Sequence, residues 1–405
     1  MALHRETETA LLKPIIYTYN PGLVLGPRAL EDFNILRSNS LTASAFKYSL
    51  EIDPSSLRLP WPSSFPASRQ CKHWRDAENA CISFLQEVYA IDPSERGKLP
   101  DGVSDQSTEL ALSQRARSAI TNAVNAAIYM NPEASATRIS MVTKFYLLAW
   151  LHDDVVEVNP EDAGLTFVDL ISQIWLRDGF ESQNTVEDDA LGQQVMKGLL
   201  SYIHSTRDQP RQEFSGLKDF LDYRAVDIAS DFVFACVRFV NSVNLSSAGA
   251  EPLDKLVNLA RDHIILVNDL YSFEKEENDL QSKNATIINT VHYLKLLLSV
   301  ESKAAKDIAY CLIQDIELQL HEELHKLRTL GSLDKTQFRY ARAVIECAAG
   351  NVMYSVTSKR YGGKAAIPYK LSDSPQHQEA SILALRSAGD TSSRRKGRVT
   401  SSAPV

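Results

Sequence analysis

A chain of 405 residues, 44% hydrophobic and 23% charged, has the composition of a folded globular protein with room for one large domain or two average ones. Its net charge of −8 leaves no basic excess for a general nucleic-acid surface, so no nucleic-acid partner is expected. No run approaches the about 18 apolar residues that mark a membrane span, and the amino end "MALHRETETALLKP" carries acids where a secretory signal has its apolar stretch.

Residues 1–69 mix short apolar patches with turn residues and lead into "LRLPWPSSFPASRQ", too rich in Pro and Ser for a helix. They are expected to form a segment packing on a helical bundle downstream. From 70 to 370 helix succeeds helix, read from apolar residues recurring every three or four positions. The segments in order are "AENACISFLQEVYAI", "SQRARSAITNAVNAAIYM", Ile139 to Val158 (apolar nearly all round, so a central buried helix), and "LKDFLDYRAVDIASDFVFACVRFV". Then come "LVNLARDHIILVNDLYSFEKE" and a long last helix through "KTQFRYARAVIECAAGNVMYSVTSKRY", stopped by Gly362 and Gly363. Residues 371–405 are polar, Ser-rich and basic at their end, and are expected to be a disordered tail. The expected fold is all-α, a single large helical bundle around one core. Cys71, Cys81, Cys236, Cys311 and Cys347 stand apart with no CxxC pair, which suggests reduced thiols and a cytoplasmic location.

Two stretches carry chemistry. "WLHDDVVEV" closes a strongly apolar helix with Asp153, Asp154 and Glu157 on one face, at a helix end whose dipole already disfavours anions. Such a cluster is either solvated or built around a cation. Downstream, "NDLYSFEKE" spaces Asn268, Ser272 and Glu276 four apart, so an amide, a hydroxyl and a carboxylate share one stripe. Three hard oxygen donors suit Mg²⁺, which keeps waters that a phosphate can replace.

These motifs resemble those of the class I terpene synthases, which pair an aspartate-rich DDxx(D/E) motif with an N-D-x-x-S-x-x-x-E motif downstream. Arg224 in "DYRAVDIAS" matches the family's diphosphate-sensing arginine, and Arg360-Tyr361 its paired Arg-Tyr near the end of the last helix. Tyr354 stands where the family often has tryptophan. The resemblance covers roughly residues 70 to 362. Within the family, "LHDDV" and "YSFEKE" look like the cyclase half of fungal bifunctional di- and sesterterpene synthases of the fusicoccadiene-synthase kind, without their prenyltransferase half.

The resemblance implies a central active-site cavity and a cluster of three Mg²⁺ ions, with metal ligands Asp153, Asp154, Glu157, Asn268, Ser272 and Glu276. It implies a diphosphate held by Arg224, Lys275, Arg360 and Tyr361, and Asp227 linking Arg224 to the carbonyl of Ile228, where other members have a small residue. Trp150, Phe145, Phe234 and Tyr354 are the aromatic candidates for steadying a carbocation through their ring faces. The reaction implied is that of a carbon–oxygen lyase acting on phosphates. A linear prenyl diphosphate, made by a separate prenyltransferase, is ionised and cyclised. Geranylgeranyl diphosphate is the expected substrate, giving a polycyclic diterpene, with farnesyl and geranylfarnesyl diphosphate as alternatives. A monomer or homodimer is expected. Like charges within each motif are expected to hold the ligand-free site open, with the polar "ENDLQSKNAT" as its lid.

"HEELH", His321 to His325, matches the zincin signature of a zinc protease. Ile316, Leu320, Leu324 and Leu327 form the apolar stripe there and the histidines fall off it, so a solvated helix face is expected instead.

Overall fold

In the computed structural model, which describes residues 12–17, 30–38, 46–57, 59, 61–90, 114–156, 189–206, 210–283, 287–331, 333–361 and 369–370, helices carry most of the described residues. They are α1 (Trp74–Ala90), α2 (Gln114–Met130), α3 (Ala136–Val156), α4 (Asp189–Ser205), α5 (Leu217–Asp227), α6 (Ser230–Val240), α7 (Asp254–Lys283), α8 (Thr290–Leu297), α9 (Ser302–Thr329) and α10 (Lys335–Thr357). The expected all-α bundle is the fold.

The core gathers around α3 and α10. In α3, Met141, Val142, Phe145, Tyr146, Leu147 and Leu148 are all buried, as its all-round apolar sequence requires. α10 is buried without interruption from Tyr340 to Thr357. It starts with a capping box, Asp334 accepting from the backbone of Thr336 and Gln337 while Gln337 reaches back to Asp334. Gly350 is what lets α10 lie against the end of α2, because a Cβ there would sit 2.0 Å from the carbonyl oxygen of Tyr129.

Two expected helices end differently from the periodicity. The "LKDFLDYRAVDIASDFVFACVRFV" helix is broken: α5 stops at Asp227, Ile228 caps it, and Ala229 takes a left-handed conformation (φ 58°) before α6 begins. An alanine in that region costs of order 1 kcal/mol or more, so the surrounding packing overrides a sequence that reads as continuous helix. The last helix stops at Thr357, so Arg360 and Tyr361 stand in the turn beyond it. Gly362 and Gly363, offered as its stop signal, lie outside the described residues, as does the tail from 371. The polar stretch expected as a lid is largely helix, since α7 continues to Lys283.

Two small antiparallel sheets flank the bundle. β1 (Ile16–Tyr17) pairs with β4 (Tyr369–Lys370), and β2 (Ser49–Ile52) with β3 (Ser68–Cys71). The N-terminal part is anchored by charge as well as by Phe33 and Phe65, both buried in the shared core. Ser63 Oγ (2.6 Å) and the Ser64 amide (2.7 Å) donate to Glu317 of α9, a buried carboxylate that also faces His263 Nε2 at 3.2 Å. Cys71, Cys81, Cys236 and Cys347 are buried free thiols and Cys311 is an exposed one.

Candidate active site

α7 has two faces. Val267, Leu270 and Tyr271 turn toward Tyr310 and Ile313 of α9 and Val352 of α10, and line a small cavity with them. Asn268, Ser272 and Glu276 lie on the opposite face, as their four-residue spacing demands. Ser272 is buried, and Asn268 and Glu276 are half-buried. Burial pushes the Glu276 carboxyl up to about 7, a shift that Arg224 opposes and the nearby Asp269 carboxylate reinforces. Such a carboxylate calls for a cation.

Asp153 sits near the carboxyl end of α3. Nothing is described for the Asp154 side chain, and Glu157 lies outside the described residues. Across the site, Arg360 Nη2 donates to Asp153 Oδ2 at 2.7 Å. The adjacent Tyr361 receives the Asn268 amide N–H on its hydroxyl at 2.7 Å, so the amide oxygen, Oδ1, is the acceptor atom of that side chain. Two consecutive residues in the turn after α10 therefore join the two acidic motifs. The contacts are between opposite charges and between neutral polar groups, so the two motifs are joined by cross-pairing.

Arg224 is buried at the end of α5 and far better anchored than a surface i,i+3 pair. Its Nε (3.0 Å) and Nη2 (2.8 Å) both donate to Asp269 Oδ1, while Nη1 pairs with Asp227. Asp269 is wholly buried and its second oxygen takes the backbone N–H (2.7 Å) and hydroxyl (2.6 Å) of Thr290. Sequence reasoning passed over Asp269, although it stands beside Asn268 within the motif. Burial raises the Asp227 carboxyl, with Arg224 opposing. At the break after Asp227 the Ile228 N–H still donates to the Arg224 carbonyl (2.9 Å), and the Ala229 N–H turns to the carbonyl of Val226 (3.0 Å), which tightens the end of α5 beside this pair.

Tyr202 of α4 was also missed, and no local pattern announces it. Its hydroxyl is pushed well above the ordinary range by burial, reinforced by Asp153 and Asp227 and opposed by Arg224 and Arg360. Lys275 lies beside Glu276 on α7 and pairs with Asp279 one turn on, at 3.6 Å.

The aromatic candidates divide. Trp150 stacks on Tyr354 (centroids 6.0 Å apart, 27° between planes), Tyr354 meets Tyr361 edge-on at 5.7 Å, and the Arg360 guanidinium lies 5.3 Å from the Trp150 ring. These three rings form one wall with the Arg-Tyr turn. Phe145 lies in the core, edge-on to Phe232 at 6.5 Å. Phe234 is buried on α6.

The histidines of "HEELH" are engaged elsewhere. His325 Nδ1 lies 2.8 Å from Asp32 Oδ2, and His321 Nε2 lies 3.4 Å from the same oxygen, with Arg328 on Oδ1 at 2.8 Å. They clasp the 3-10 helix Glu31–Leu36 of the N-terminal part onto α9. Among the described residues no group of three His, Cys, Asp or Glu side chains could hold a metal.

The chain is similar to known proteins. Residues 191–317 match terpene synthase family 2, C-terminal metal binding. The chain is 31% identical to terpene cyclase aneC of Aspergillus aculeatus over 333 residues, 76% of this chain and 73% of that protein. The chain belongs to the class I terpene synthase family. The cyclase is also 29% identical to terpene cyclase 6 of Gibberella fujikuroi over 359 residues, covering 86% of this chain and 95% of that one. Its fold matches the crystal structure of aristolochene synthase from Penicillium roqueforti with a TM-score of 0.53 at 18% identity, over 71% of this chain and 96% of that chain. The zinc-protease alternative is thereby set aside. Divalent-metal binding belongs to the matched family, and the donors here fit it. An amide oxygen, a hydroxyl and a half-buried carboxylate on one stripe of α7 are hard ligands for a small dication. The cyclase is a lyase acting on a prenyl diphosphate, and among the described residues no helix is long and apolar enough to cross a membrane.

Proposed function

We propose that this cyclase ionises geranylgeranyl diphosphate, supplied by a separate prenyltransferase, and closes the resulting cation to a polycyclic diterpene. The observation that supports the site is the Arg360-Tyr361 turn, which ties Asp153 to Asn268 and so brings two oxygen-rich helix faces to one place. Asp153, Asp154 and Glu157 form one metal-binding set, and Asn268, Ser272 and Glu276 the other. Three Mg²⁺ ions, when bound between them, supply the Lewis-acid stabilisation of the departing diphosphate.

The protein's own groups do the rest. Arg224, Lys275, Arg360 and the Tyr361 hydroxyl bind the diphosphate oxygens, arginine being suited to this by its planar pair of donors. In the ligand-free protein Arg360 is parked on Asp153. Diphosphate and cations together give each partner a replacement of the right sign, so the pair exchanges partners at little cost. An ion pair of this exposure is worth about 0–1 kcal/mol. Arg224 stays put, fixed by Asp269, while Asp227 connects it to the carbonyl of Ile228 at the α5–α6 break. Trp150 and Tyr354 present ring faces beside the leaving group, and Phe145 and Phe234 close the apolar interior that excludes water from the cation.

The catalytic unit is residues 70–370, with 1–69 packed on it. Substrate length rests on "LHDDV" and "YSFEKE", which look like the cyclase half of the fungal di- and sesterterpene enzymes. Incubation with Mg²⁺ and geranylgeranyl, farnesyl or geranylfarnesyl diphosphate, and then gas chromatography–mass spectrometry, should show cyclised product mainly from the first. Turnover of only one of the other two would replace the substrate, and turnover of none would sink the reading.

A further inference from the structure

The junction between α7 and α8 places an unassigned residue against the metal-binding triad. Asn289 is the N-cap of α8. Its Oδ1 accepts from the backbone N–H groups of Val291 (2.8 Å) and His292 (3.4 Å). Its Nδ2 points the other way, donating to the carbonyl of Asp269 (2.8 Å) and to Glu276 Oε2 (3.1 Å), and lying 3.4 Å from Ser272 Oγ. The side chain is buried, and the next residue, Thr290, is keyed to Asp269 through both its N–H and its hydroxyl.

We propose that Asn289 is a positioning residue for the metal site, holding Ser272 and Glu276 in place through its amide nitrogen while its amide oxygen caps α8. This rests on reading Asn268, Ser272 and Glu276 as the ligands. The orientation of the amide is forced. The α8 side offers only donors, so the oxygen must face it, and the nitrogen must face α7, whose groups there are acceptors. The residue type is also informative. Asp, Ser and Asn cap helices about equally well, so capping alone does not require asparagine. Holding Glu276 does require a donor, and the donor must be neutral. A lysine or arginine would hold the carboxylate but repel the dication, and an aspartate would repel Glu276. Residues that orient a ligating carboxylate in this way typically matter about 10–100-fold for metal affinity or activity.

Asn289→Ser separates the two jobs, since serine caps α8 but is too short to reach Glu276. With Mg²⁺ titrated against a fixed level of inorganic diphosphate, the Mg²⁺ concentration giving half the thermal stabilisation should rise about tenfold or more. The concentration giving half-maximal turnover should rise in parallel, with turnover largely recovered at high Mg²⁺. Thr290→Val, which strips the Asp269 hydroxyl contact but leaves Ser272 and Glu276 untouched, should lower the melting temperature and leave the Mg²⁺ half-point within twofold of the parent. If Asn289→Ser does not fold, Asn289→Thr carries the same expectation. A folded serine or threonine variant with an unchanged Mg²⁺ half-point would reduce Asn289 to a helix cap and overturn the proposal. Glu276→Gln, run alongside, should weaken Mg²⁺ more than either. If it does not, the ligand assignment itself fails and this inference falls with it.

Discussion

Removing the Asp269 carboxylate tests whether a buried ion pair aims the diphosphate-binding arginine. Asp269 has no exposed surface, and four hydrogen bonds end on its two oxygens, two from Arg224 and two from Thr290. Asp269→Ala leaves Arg224 with Asp227 alone and leaves the Thr290 N–H and hydroxyl without their acceptor. Breaking one side of such a buried pair costs about 3–5 kcal/mol. For a chain of this size each kcal/mol shifts the melting temperature by about 1–2 °C, so the variant should melt about 3–10 °C lower. Asp269→Asn keeps the volume and an acceptor for Thr290 but gives up the charge that anchors Arg224. It should keep more of the stability than the alanine variant while losing turnover by a similar factor. Asp227→Ala should be milder in stability, because that carboxylate is a quarter exposed. Thermal unfolding by circular dichroism and a diphosphate-release assay supply the two readouts. An Asp269→Ala protein melting within about 1 °C of the parent would refute the reasoning, since no network of this burial is silent on deletion.

Asp153→Asn should abolish turnover yet unfold within a degree or two of the parent, because its pair with Arg360 is partly exposed and worth about 0–1 kcal/mol; near-normal turnover would remove Asp153 from the metal site. Inorganic diphosphate with Mg²⁺ should raise the melting temperature far more than either alone, through mass action on the closed state, and Arg360→Ala should cut that synergy. Equal stabilisation with and without Mg²⁺ would show that the two motifs do not hold a joint metal–diphosphate cluster. Burial raises the Glu346 carboxyl from 4.5 to about 7, with Glu133 adding and Arg342 and Arg69 opposing. The folded chain thus keeps a proton that the unfolded chain releases. That contribution is full below about pH 4.5 and is lost as pH climbs through 7, about 3 kcal/mol in all. Urea unfolding of Glu346→Gln should lack that fall between pH 5 and 8, and parallel pH profiles for the two proteins would count against it.

The helical class, the α7 stripe and the Arg360-Tyr361 pair were legible because each is a local matter. Periodicity reports which face of a helix is apolar, and a four-residue spacing puts Asn268, Ser272 and Glu276 in line whatever surrounds them. The described residues of "LRLPWPSSFPASRQ" are likewise free of helix, as its Pro and Ser content indicated. The α5–α6 break was not legible, because Ala229 and its neighbours are ordinary helix formers. Only packing around the break holds Ala229 in a conformation its own backbone disfavours. The same holds for Asp269 and Asn289, whose partners are remote in sequence: Arg224 for the first, Ser272 and Glu276 for the second. Charge type was readable along the chain, but which opposite charges would meet was not. The folded bundle sets Arg360 against Asp153, and Coulomb energy depends on distances that no sequence interval states. Local residues thus determined which groups are present on each helix, and the tertiary arrangement decided which of them face one another across the site.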